Sequence, residues 1–226
     1  MKLFPQEPSI KLYETMFNDQ DEDYGRARLA KELTHLIDKL AEPTVLALDD
    51  HWGSGKSVFL KKWTGHYLAR SKKNGQVVYL DAFEHDYISD PLVALISTVE
   101  ERFASDKKSK SLDGLKKVGA KLARPAFNAA LQVATFGAKQ YLDEIGDAVV
   151  DIASGSASEV ATTFWEDERA KRELVTKFKE HLSSLAQDDG PLIIVIDELD
   201  RCRPDFALAV LETIKHFFSV KNVHFI

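Results

Sequence analysis

Residues 49–57 read DDHWGSGKS, and the types at its end are those that can surround one phosphate. The phosphate-binding loop pattern is G-x-x-x-x-G-K-[ST], set after a strand and opening a helix. Gly55, Lys56 and Ser57 satisfy its last three positions, and Asp50 stands where the first glycine belongs. Gly53 and Gly55 let the backbone wrap closely, so that the N–H groups of Trp52, Gly53, Ser54, Gly55, Lys56, Ser57 and Val58 can turn toward phosphate oxygens. The helix N-terminus adds a partial positive charge. Lys56 would place its ammonium on the outer phosphates, and Ser57 would offer its hydroxyl to Mg²⁺. Asp50 is expected to act as a turn residue, because Asp enters left-handed backbone more readily than most residues. Its carboxylate must then point away from the phosphates.

A second constellation, LIIVIDELDR at 192–201, ends an apolar run with Asp197 and Glu198. Asp197 suits Mg²⁺ ligation through the water shell that this cation keeps. Glu198 suits orienting, or taking a proton from, a water that attacks the terminal phosphate. A glycine turn with an incidental lysine, or an acidic turn at a strand end, explains either motif alone. Their joint presence in one chain is much rarer, and ligands of parallel sheets bind at the edge where strands end.

The elements that must position these residues can be read from periodicity. Leu29, Leu33, Leu36, Ile37 and Leu40 recur at helical spacing until Pro43 stops them. TVLALD (44–49), QVVYLDAF (76–83) and LIIVID (192–197) are apolar runs suited to strands covered on both faces. Helices are expected at 56–71 with Phe59, Leu60 and Trp63 inward, from Asp90 with Pro91 in its first turn, around Leu174–Leu185, and from Pro204 with Val210, Leu211, Ile214, Phe217 and Phe218. Strands alternating with helices, each strand apolar throughout, imply an α/β fold with a parallel sheet between helical layers.

Between the two motifs the pattern changes. Residues 106–124 carry seven Lys or Arg and two Asp, 125–138 carry no charge, and the stretch to 161 is rich in small residues. The uncharged run would span about 21 Å as a helix, short of the ~30 Å of a bilayer's hydrocarbon. The basic stretch reads first as a solvated helix face. Contact with anionic lipid is the competing reading. The net charge is −6 over 226 residues, which argues against a generic nucleic-acid binder. The single cysteine, Cys202, excludes a disulfide framework and fits a reducing, cytoplasmic compartment. Arg201 and Arg203 are expected to pair with Asp200 or Asp205, Trp52 to pack, His85 to be structural, and Cys202 to be a small buried residue.

Taken together, WGSGKS at 52–57, YGRARLAKELTHLI at 24–37, VVYLDAFEHD at 77–86 and IDELDRCRPDFALAVLETIKHFFSVKNVHFI at 196–226 resemble the KAP family of P-loop NTPases. Asp81, Ala82 and Phe83 stand where the family has Asn-Ala-Trp, so Asp81 and Phe83 depart from it. The resemblance implies a three-layer αβα P-loop NTPase fold of the additional-strand class, with a helical insertion between Walker A and Walker B. It divides the chain into a lead-in (1–24), a first core part (25–105), the insertion (106–164) and a second core part (165–226). It also implies that the chain stops at Ile226 before a polar sensor residue and a lid. Its implied ligands are ATP and Mg²⁺, with Lys56 and Glu198 catalytic, residues 52–58 on the nucleotide, and Ser57 and Asp197 on the metal. Tyr24–Arg28 is the expected adenine side. The implied activity is hydrolysis of ATP to ADP in phage defence or signalling, and a nucleotide-gated switch with little hydrolysis is the alternative. A homo-oligomer or protein partner, and peripheral membrane contact through 106–160, stay open. No sequence-specific nucleic acid is expected.

Overall fold

The computed structural model describes residues 10–17, 25–71, 75–88, 90–103, 109–122, 157–187, 190–217 and 219–226. The acidic cluster at 18–24 with Tyr24, the uncharged run 125–138, the small-residue stretch to 156 and Phe218 lie outside the described residues.

In chain order the elements are α1 (Arg26–Lys39), β1 (Thr44–Val45), α2 (Lys56–Arg70), β2 (Gln76–Asp81), α3 (Pro91–Phe103), α4 (Ser109–Leu122), α5 (Ala157–Gln187), β3 (Leu192–Asp197), α6 (Pro204–Lys215) and β4 (Val223–Phe225). The four strands form one parallel sheet in the order β1-β4-β3-β2. The strand added last in sequence therefore sits between the strand that leads into the phosphate loop and the strand that carries Asp197.

Side chains of alternate strand residues point to opposite faces of a sheet. Val78, Leu80, Leu192, Ile194, Val223 and Phe225 face a core shared with α3, α4, α5 and α6. Val77, Tyr79, Ile193 and Val195 face the other, against α1 and α2. Both faces are covered, which is why β2 and β3 read as unbroken apolar runs. The result is the three-layer αβα arrangement with an extra strand that the resemblance implied.

Three expectations are corrected. β1 is two residues long rather than six, and Val45 is exposed. It pairs with β4 at Thr44 and Val45, and Leu46 N–H donates to Phe225 O. On α1 the inward stripe is Ala27, Ala30, Thr34 and Ile37, while Leu29 and Leu36 are exposed. Small residues there let α1 lie close to α2, where Trp63 Nε1 donates to Thr34 Oγ1 at 3.2 Å. On α6, Leu211 is exposed rather than buried with Val210 and Ile214.

α3 is capped as its sequence suggests, with Leu92 N–H on Asp90 Oδ1 at 2.8 Å. α4, from the basic stretch, buries Leu112, Leu115, Val118 and Leu122 and leaves Lys117 and Lys121 exposed. α5 runs unbroken across the expected boundary at 164/165. No helix among the described residues is long and apolar enough to cross a membrane.

The segment 10–17 straps the open side of β2. Tyr79 N–H donates to Tyr13 Oη at 3.0 Å, and Arg102 Nε donates to Val77 O at 3.0 Å. These bonds satisfy groups that an edge strand would otherwise offer to another chain. The strap then crosses α2 at Gly65, where a Cβ would stand 2.6 Å from Thr15 O. Alanine at 65 gains about 1 kcal/mol of helix propensity, yet it must push the strap away. Gly65→Ala is therefore expected to speed hydrogen exchange or proteolysis within 10–17 while α2 and the sheet keep their protection. Unchanged protection of the strap would show the close approach to be dispensable.

Candidate functional site

The strand ends and the N-terminus of α2 enclose a cleft of about 500 Å³. Gly53, Gly55, Lys56 and Ser57 line one wall, and Asp81, Asp197 and Glu198 the other. Trp52 and Val58 also border it, while Ser54 borders a neighbouring recess of about 310 Å³ beside Arg26 and Phe59.

The loop owes its shape to two glycines and one carboxylate. Gly53 and Gly55 take φ of 78° and 85°, values that strain a side-chain-bearing residue. Asp50 does not enter the left-handed region, contrary to its expected turn role. Instead its Oδ1 accepts the His51 N–H at 2.8 Å and lies 3.3 Å from His51 Nδ1. That backbone N–H, foremost, holds the Asp50 carboxyl below its usual range. The missing first glycine is thus replaced by a side-chain cap.

Lys56 Nζ donates to the carbonyls of Asp50 (2.7 Å) and His51 (3.1 Å), tying the loop to the helix it opens. From α1, Arg26 Nη1 donates to Gly55 O at 3.0 Å, and Nη2 donates to Ser54 O. Ser57 Oγ donates to Glu198 Oε1 at 2.6 Å, a bond between residues 141 positions apart.

On β3, Asp197 is buried, and its partners explain how. Tyr79 Oη donates to Oδ2 at 2.6 Å, and Glu198 N–H donates to Oδ1 at 2.9 Å. Burial, and then the Asp197 carboxylate, push the Tyr79 phenol far above its ordinary value, so it stays a donor. Glu198 has φ 59°, a left-handed turn that breaks the strand's alternation directly after Asp197. Its Oε2 meets Arg201 Nε at 2.7 Å. Arg201 therefore pairs with Glu198, not with Asp200 or Asp205 as its sequence neighbours suggested. Arg203 does lie 3.7 Å from Asp205, and it also bonds Asp86 through its guanidinium and N–H.

With the loop, the acidic strand end and the interposed strand in place, comparison with known sequences decides the family. Residues 26–226 match the KAP family P-loop domain. The chain belongs to that family. A KAP domain is a nucleotide-binding NTPase module. A protein of Methanocaldococcus jannaschii described as uncharacterized protein MJ0182 is 49% identical over 49 residues, which is 22% of this chain and 25% of that protein. No solved structure matches the chain.

Within this KAP domain, Ser57 and Asp197 line the same cleft, and Ser57 bonds Glu198. Trp52 is 81% exposed at the mouth instead of packing inward. Cys202 is buried, its thiol on Glu198 O at 3.4 Å, and His85 Nδ1 lies 2.9 Å from Asp81 O within a turn. Among the expected adenine-side residues, Arg26 contacts the loop and Arg28 pairs with Glu32 along α1. The sequence reading missed Tyr79, whose only available signal was a polar-tipped aromatic two residues before the end of an apolar strand.

Tyr79→Phe is expected to lower unfolding free energy by about 1–3 kcal/mol, the range for losing a hydrogen bond to a buried charged group. Chemical denaturation of Tyr79→Phe, Asp197→Asn and the double variant would measure it. Strict additivity would mean that the phenol and the carboxylate are not coupled.

Proposed function

We propose that this domain binds ATP together with Mg²⁺ and hydrolyses it to ADP and phosphate. The observation that carries this reading is the Ser57–Glu198 bond, which joins the phosphate loop to the acidic strand end across one cleft. The donor set fits the cation. Ser57 and Asp197 are hard oxygen donors, and Mg²⁺ uses one or two protein oxygens alongside phosphates and water. Bound there, Mg²⁺ would neutralise charge on the outer phosphates.

In this reading the N–H groups of 52–58 take the phosphate oxygens at the start of α2. Lys56 exchanges the carbonyls of Asp50 and His51 for those oxygens. Ser57 would hold the cation in place of Glu198, which would leave Glu198 Oε1 open to a water. That water attacks the terminal phosphorus, its proton passes to Glu198, and the bond to the ADP oxygen breaks. Tyr79 and the Glu198 N–H hold Asp197 in its orientation.

A switch with little turnover is the second reading, favoured by one observation. Both Glu198 oxygens are engaged, by Ser57 and by Arg201. A role in phage defence or signalling, a homo-oligomer or protein partner, and a cytoplasmic setting or peripheral membrane contact through 106–160 rest on family likeness and on the basic stretch 106–124. The division into a split core at 25–105 and 165–226 around an insertion belongs to the same proposal.

Mg²⁺·ATP binding and single-turnover hydrolysis separate the two readings. Lys56→Ala is expected to weaken nucleotide binding by at least tenfold. Glu198→Gln should keep binding and lose about 10²–10⁴-fold in turnover, the usual share of a general base. Turnover that is insensitive to Glu198→Gln would sink the hydrolase reading and leave the switch. Unchanged affinity in Lys56→Ala would remove the site itself.

A further inference from the structure

A loop whose N–H groups converge on an anion must turn its carbonyls the other way. Those carbonyls need donors of their own, or a peptide flip will aim one of them at the phosphates. Backbone N–H groups serve two of them, Ser54 N–H on His51 O and Phe59 N–H on Gly55 O, and two cations add further donors and divide the loop between them. Lys56 holds the ascending limb at Asp50 and His51, and Arg26 holds the descending limb at Ser54 and Gly55.

The two holds differ in permanence. Lys56 leaves its carbonyls when it turns to a phosphate, whereas Arg26 reaches the loop from outside, from the first residue of α1. We propose that Arg26 is a positioning residue that fixes the descending limb in its ligand-receiving shape, before and after Lys56 moves. This rests on the phosphate-site reading above.

Three features favour that role. A guanidinium is a planar fork of donors, suited to two successive carbonyls in a way an ammonium is not. The fork lies against Gly55 so closely that a Cβ there would stand 3.0 Å from Nη1. Gly55 is thereby required twice, for its φ and for this approach. The helix that delivers Arg26 is itself fixed, with Ala30 and Ile37 fully buried and Thr34 bonded to Trp63.

The test compares wild type, Arg26→Ala and Arg26→Lys as full chains, with ATP, with inorganic tripolyphosphate, and by hydrogen exchange without ligand. Arg26→Ala is expected to lose about tenfold in affinity for ATP and tripolyphosphate alike, as for a charged donor removed from two acceptors. Arg26→Lys, which keeps the charge but not the fork, should fall between. Amides of 51–58 should exchange several-fold faster in Arg26→Ala, with β2 and β3 unchanged.

A loss confined to ATP would place Arg26 on the nucleoside and overturn the proposal. Unchanged exchange in 51–58 would overturn it as well. If wild type binds neither polyphosphate, the phosphate-site reading fails, and the exchange measurement still decides whether Arg26 shapes the loop. Should Arg26→Ala misfold, Arg26→Lys carries both arms.

Discussion

Interposing β4 between β1 and β3 sets the dimension on which this domain depends. Neighbouring strands lie about 4.8 Å apart, so the strand that feeds the phosphate loop and the strand that ends in Asp197 are separated by roughly 10 Å. Such a gap accommodates a phosphate chain between a helix N-terminus and a carboxylate pair. The last rungs of β4 face Ile194 and Ile196, one residue below Asp197. The Ser57–Glu198 bond closes the span. Had β1 and β3 been neighbours, the loop would have lain directly against the acids.

Around that gap the polar groups are already matched. Asp197 survives burial because a phenol and a backbone N–H serve its two oxygens separately. Glu198 leaves the strand through a left-handed residue, a costly conformation of the kind found where side-chain direction matters more than local ease. The turn sends two consecutive carboxylates to different partners. Asp197 goes inward to Tyr79, and Glu198 goes across to Ser57 and Arg201. One strand end thus supplies a held anion and an exchangeable one.

The sequence makes some of this visible and hides the rest for physical reasons. Gly55-Lys56-Ser57 and Asp197-Glu198 are legible because their chemistry depends on adjacency along the chain. The layers are legible because β2 and β3 are buried on both sides and show it as continuous apolar runs. Arg26 and Tyr79 are hidden because their partners lie 29 and 118 positions away, a proximity that only the folded sheet and helices create. The face of α1 misleads because close helix contact favours alanine over leucine, so the larger residues point outward. Arg201 misleads because Asp200 and Asp205 are nearer in sequence, while the 3-10 turn after β3 carries its guanidinium back to Glu198. Asp50 looks like a defect in a glycine pattern until its carboxylate is seen to cap the turn.

Lys56 and Ser57 are both satisfied from within the site, so on the proposed reading a ligand would bind by exchange and not by filling bare charges. Lys56 would trade two carbonyls for phosphate oxygens, and Ser57 would trade a short, charge-assisted bond for a cation. Each trade keeps the number of contacts similar, so the free energy of binding is a difference between good bonds. On that reading the difference would be most favourable when phosphate and cation arrive together, since a cation would draw Ser57 from Glu198 while a phosphate would take Lys56. Release of Ser57 would also expose a Glu198 oxygen, which would tie readiness for chemistry to occupancy of the cation's place. Arg201, 2.7 Å from the other oxygen, would then orient the freed carboxylate.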